Sequence, residues 1–74
     1  MSVYRFLVII EKGNGKYSAY SPDLPGCAAT GETLQEVESN MYEAIQLHVK
    51  ELLEDGLPIP EGQTVAEYVA IPQL

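Results

Sequence analysis

The stretch from Val3 to Glu11 is apolar on both of its faces, and this limits what the chain can fold into more than any other feature. Laid out as a strand, it points Tyr4, Phe6, Val8 and Ile10 one way and Val3, Leu7 and Ile9 the other, with Arg5 as the exception. A strand of that kind needs cover on both sides. The chain has 74 residues, enough for a single domain over 1–74 and no second. At this size about 60% of the unfolded surface is buried, so small domains lean on disulfides, a metal or association. Cys27 is the only cysteine and His48 the only histidine, so neither an intrachain disulfide nor a four-ligand zinc site is expected. Association is the remaining remedy. One helix can cover one face of the strand. A second copy is expected on the other, giving a homo-oligomer (dimer or tetramer) with Leu7 and Ile9 at its interface.

The rest of the chain supplies that helix and more strand. Lys12-Gly13-Asn14-Gly15 predicts a tight hairpin turn, and Lys16 to Ser21 a second strand. Pro22-Asp23-Leu24-Pro25-Gly26 interrupts pairing, because a proline has no amide hydrogen. Cys27 to Thr30 predicts a short third strand closed by Gly31. Thr33 opens a helix, with Thr33 and Glu36 as a capping box in which each side chain reaches the other's amide. At about 100° per residue, Leu34, Val37, Met41, Ala44, Ile45, His48 and Leu52 share a face, widened by Tyr42, Val49 and Leu53. Glu36, Glu43, Glu51 and Glu54 lie opposite. Leu47 stands among the polar positions, as an oligomer contact or as an ordinary exposed leucine. Gly56 stops the helix, and Pro58 and Pro60 prevent its resumption. Thr64 to Ile71 predicts a last strand, ended by Pro72. The order is β-β-β-α-β: an α+β fold with a three-stranded antiparallel sheet packed on one helix, plus a last strand.

The net charge is −7, from eleven acids against four bases, and no two of Arg5, Lys12, Lys16 and Lys50 are adjacent. Direct binding of nucleic acid calls for a basic patch, so none is expected. An acidic surface suits a basic protein partner, although charge of this size also serves solubility alone. The start of the chain has no basic region followed by a long apolar run, and Phe6 to Ile10 is far too short to span a bilayer. A lone cysteine suits a reducing compartment, so a cytoplasmic protein without membrane contact is expected.

Three segments together resemble a known family. They are Pro22-Asp23-Leu24-Pro25-Gly26-Cys27 after the aromatic pair Tyr17 and Tyr20, Gly31-Glu32-Thr33-Leu34-Gln35-Glu36, and Gly56-Leu57-Pro58-Ile59-Pro60. The chain looks like the N-terminal, toxin-binding domain of HicB antitoxins. The resemblance implies a fold like a truncated ribonuclease H. It also implies a partner, a small basic HicA-like ribonuclease toxin that cleaves mRNA. Full HicB proteins carry a C-terminal DNA-binding domain that this sequence lacks, so operator binding by this chain is not expected.

No catalytic constellation stands out. Two-metal hydrolysis needs carboxylates converging on cations about 4 Å apart, and nothing in the spacing gathers Glu11, Asp23 and Glu43. His48 falls on the apolar helix stripe, the place of a packed histidine rather than a general base. Cys27 after a Pro-Gly turn reads as a small buried filler rather than a nucleophile. No cofactor, metal or enzymatic activity is expected. Asp23, Leu24, Pro25 and Gly26 carry two compatible readings. Asp23 can bond to amides two residues on and Gly26 can supply a positive φ, or the four form a rigid exposed loop that a partner grips. The function expected is neutralisation of a toxin. The alternative is an oligomeric scaffold or adaptor without one.

Overall fold

The structure, a computed structural model, describes residues 3–73. Three strands, β1 (Ile9–Gly13), β2 (Lys16–Tyr20) and β3 (Ala28–Gly31), precede one helix, α1 (Leu34–Glu54). The strands form an antiparallel sheet in the order β1-β2-β3. This is the α+β arrangement that the hydrophobic pattern predicts, with differences at both ends of the chain.

β1 begins at Ile9, not at Val3, because β2 stops supporting it. Tyr20 pairs with Ile9, and the chain then turns away at Ser21 and Pro22. Pro22 has no amide to continue the ladder. Residues 3–8 therefore overhang the sheet. At its other end β1 runs on through Lys12 and Gly13, which pairs with Lys16 across Asn14-Gly15. Gly15 has φ +74° and Asn14 does not have a positive φ. The turn thus differs from the type I′ turn, in which both central residues are left-handed.

The second difference is larger. Thr64 to Ile71 makes no ladder pairing among the described residues and forms no strand. A segment with strand propensity becomes a strand only when an edge satisfies its amides and carbonyls. Val65, Tyr68, Val69 and Ile71 are all at least 75% exposed.

Register places Ile10, Ala19 and Ala29 side by side on one sheet face, and Ile9, Tyr20 and Ala28 on the other. α1 covers the first face only. Ala19, Leu24, Cys27, Val37 and Met41 form the buried core, with Phe6, Val8, Ile10, Tyr17, Ala29, Ala44 and Ile45 packed around it. The predicted helix stripe is wider than the buried one: Leu34, Tyr42 and Leu53 are about half exposed or more. The sheet is too short to cover them.

Both ends of α1 are closed as its sequence predicts, with one change. Glu36 N donates to Thr33 Oγ1 at 3.0 Å, but the Glu36 carboxylate accepts from the amide of Glu32, one residue before the cap. At the far end Gly56 has φ +67°, and the amides of Gly56 and Leu57 donate to the carbonyls of Leu53 and Leu52. These two bonds make a Schellman termination.

Gly31 sets the distance between sheet and helix. A Cβ there would lie 2.6 Å from the Val37 nitrogen and 3.0 Å from its Cα. Asn40 Nδ2 donates to the Thr30 carbonyl at 2.9 Å and fixes the same contact from the helix side. Gly31→Ala is expected to lower unfolding stability by about 1–3 kcal/mol, since backbone must move to admit the methyl group. Gly13→Ala, with nothing within 4 Å of its Cβ, is expected to change stability by less than about 0.5 kcal/mol. Urea denaturation of both variants measures the difference.

Candidate protein-binding surfaces

The loop between β2 and β3 is built from two consecutive turns. Leu24 N donates to Ser21 O at 3.1 Å and Cys27 N to Leu24 O at 3.0 Å, and Ser21 N closes the loop on Cys27 O at 3.3 Å. Gly26 has φ +83°, which a residue with a Cβ adopts only under strain. Leu24 is 0% exposed and plugs the core from this loop. It is out of reach of any partner, so the exposed part of the predicted loop shrinks to Pro25 and Gly26, with Asp23 half-buried.

Asp23 does not act within its own turn. Its Oδ1 accepts from Thr64 Oγ1 at 2.8 Å and its Oδ2 from the Thr64 amide at 3.4 Å. The carboxylate therefore pins the start of the C-terminal segment. Gly62 lies beside this anchor, its ideal Cβ position 3.0 Å from Arg5 O and 3.8 Å from Asp23 Oδ2. No sequence signal links two positions 41 residues apart.

A groove of about 470 Å³ opens between the N-terminal overhang and the helix. Tyr4, Phe6, Val8 and Ile10 make one wall. Met41, Ile45 and Val49 make the other, with Tyr42 and Glu38 at the rim. Tyr4 and Phe6 stack at 6.5 Å between ring centroids. α1 covers β2 and β3, but it stands away from residues 4–10 and leaves their inner face partly open. The alternation of residues 4–10 carried the signal for this wall; the gap in front of it did not show in the sequence.

The residues expected at an oligomer interface fall in two places. Leu7 and Ile9 are half-buried on the face of the first segment that α1 does not cover. Ile9 is continuous there with Tyr20, which is 45% exposed. Leu47 is 57% exposed on the helix, on the other side of the sheet. The structure does not bring Leu47 together with Leu7 and Ile9.

Charge is concentrated on α1. Glu36, Glu38, Glu43, Glu51 and Glu54 are all exposed, against the single base Lys50, and the last turn has no basic residue. His48 is half-buried on the same helix. Among the described residues no three His, Cys, Asp or Glu side chains gather as metal ligands, and no helix is long and apolar enough to cross a membrane.

Two tests follow from these contacts. Removal of the Asp23 carboxylate in Asp23→Ala is expected to free the Thr64 anchor at a cost of about 1 kcal/mol. It should speed hydrogen exchange at the Thr64 amide while leaving the core amides protected. Cys27 is buried, and its burial raises the thiol pKa above 9.0. The fold thus holds the neutral thiol, and this contribution is complete below pH 9.0 and is lost as pH rises from there. Urea midpoints should fall above that pH, and fall less steeply in Cys27→Ala. A thiol reagent should label Cys27 only on unfolding.

Comparison with known proteins gives a consistent assignment. The chain is 38% identical over 66 residues to an uncharacterized 14.9 kDa protein of Haemophilus phage HP1, covering 89% of this chain and 50% of the phage protein. The chain thus spans about half the length of that relative. It is 33% identical over 70 residues to a UPF0150 protein of Synechocystis, covering 93% of this chain and 89% of the relative. A UPF0150 protein of Archaeoglobus fulgidus is 40% identical over 55 residues, covering 70% of this chain and 80% of the relative. No solved structure gives a significant match. The family model for the HicB-like antitoxin of bacterial toxin–antitoxin systems matches residues 6–74, nearly the whole chain, and the protein belongs to that HicB-like antitoxin family.

Proposed function

We propose that this domain neutralises a small basic HicA-like mRNA-cleaving toxin by covering it, without catalysis of its own. The observation that carries the reading is the acidic surface of α1: five exposed glutamates against one lysine. Membership of the antitoxin family supplies the toxin–antitoxin role. The helix electrostatics point the same way. Glu51, Glu54 and Asp55 crowd the C-terminal end of α1, where the helix dipole is already negative and each added charge is unfavourable by about 0.3–1 kcal/mol. A basic partner relieves that repulsion. Under this reading the chain works in the cytoplasm, where mRNA is cleaved, and acts as a homo-oligomer. Its sheet and helix are the part of a ribonuclease H-like fold that the family resemblance implies.

A second reading, a self-associating adaptor with no toxin, draws on the exposed apolar surface of residues 65–71 and the open groove. Co-expression with the adjacent gene separates the two. Under the antitoxin reading, that gene alone arrests growth and this chain restores it. The purified complex weakens as salt rises from about 0.05 to 0.5 M. Glu43→Lys with Glu51→Lys should weaken the complex by at least about tenfold, since each change replaces an attraction with a like-charge contact. An adjacent gene without toxicity, or a complex indifferent to both salt and charge reversal, overturns the antitoxin reading.

A further inference from the structure

We infer that residues 65–71 of one copy add as a strand to the free edge of residues 3–9 in a second copy, reciprocally, with Glu67 beside Arg5 of the second copy. This deepens the self-association in the reading above and is independent of the toxin.

Three observations meet here. The first is an unpaired edge. β1 is an outer strand of the sheet, and residues 3–8 make no strand pairing, although Gly62 of the same chain lies against the Arg5 carbonyl; the edge offered to a second copy is the one facing away from β2. Exposed edges of this kind pair with added strands. The second is an unpaired strand. Val65, Tyr68, Val69 and Ile71 stand 78%, 106%, 75% and 77% exposed, beyond the point where Asp23 holds Thr64. A lone domain leaves this apolar segment in water, and the anchor fixes where it departs from the body.

The third is a match between the two segments. In each, one face carries three aliphatic side chains and one charge: Val3, Arg5, Leu7 and Ile9 in the first, Val65, Glu67, Val69 and Ile71 in the second. Placing Arg5 beside Glu67 aligns aliphatic with aliphatic at the flanking positions. With the two segments parallel, the same alignment sets Tyr4 against Ala66, Phe6 against Tyr68 and Val8 against Ala70 on the opposite face. Tyr68 then enters the groove wall formed by Tyr4 and Phe6. A slip of one residue would put Glu67 on that apolar side, so the period of two fixes the register. Reciprocal exchange between two copies closes the assembly as a two-fold dimer.

Charge reversal tests the pairing without removing any apolar surface. Sedimentation equilibrium of the full chain should give the mass of two chains at micromolar concentration. Arg5→Glu and Glu67→Arg should each weaken the dimer about tenfold, and the double reversal should restore it. A chain carrying Arg5→Cys mixed with one carrying Glu67→Cys, both with Cys27→Ala, should oxidise to a product of two linked chains. A monomeric full chain overturns self-association altogether. A dimer insensitive to either reversal, or no restoration by the double reversal, overturns the strand exchange alone. A chain carrying both cysteines that links only within itself also overturns it, because the segment would then close on its own edge.

Discussion

The approach of α1 to β3 at Gly31 is the contact on which the rest of the domain depends. Only a residue without a Cβ lets the backbone of Val37 come this close. That approach drops Val37 and Met41 onto Ala19 and against Leu24 and Cys27. Thr33 and Asn40 hold it from the two sides, one by capping the first turn and one by reaching the Thr30 carbonyl. The glycine and the capping threonine of the Gly31-Glu32-Thr33 motif therefore act on the same junction. They set where the helix starts and how near the sheet it lies.

A helix docked so tightly at its first half leaves the second half, and the first strand, short of partners. The buried core consists of small and medium side chains, while larger ones stay at the surface: Tyr4, Tyr42, Leu47, Leu53 and Tyr68 are all more than half exposed. The apolar surface left over is organised rather than scattered. It lies along the overhang of residues 3–8, in the groove behind it and on the segment after Thr64. Exposed apolar surface gathered in this way, rather than scattered singly, is the kind that marks interaction sites. The acidic surface of α1 meets it at Glu38, on the rim of the groove, while Glu36, Glu43, Glu51 and Glu54 do not line the groove.

Much of the domain was legible from the residues. The Asn14-Gly15 hairpin, the break at Pro22, the capped start at Thr33 and the glycine stop at Gly56 are local signals, decided by backbone conformers and missing donors within a few residues. They fall where the sequence puts them, within one or two positions. Long-range facts were not legible. The role of Asp23 looked local because turn aspartates usually serve their own loop, yet its partner is Thr64. Leu24 looked exposed because it sits between two prolines' worth of turn, yet the double turn folds it inward to a fully buried position.

The sequence by itself determined the three strands, the helix and its caps, the acidic balance and the family, because each is written in local pattern or in composition. Tertiary structure alone decided what those elements do to one another. It shortened the first strand, since β2 turns away at Pro22 and a strand exists only where a neighbour pairs with it. It left Thr64 to Ile71 without a strand partner for the same reason. The two-sided apolar stretch with which the chain begins called for cover on both faces. The helix supplies part of that cover on one face. How the remainder is met depends on surfaces brought together in space, which no run of adjacent residues records.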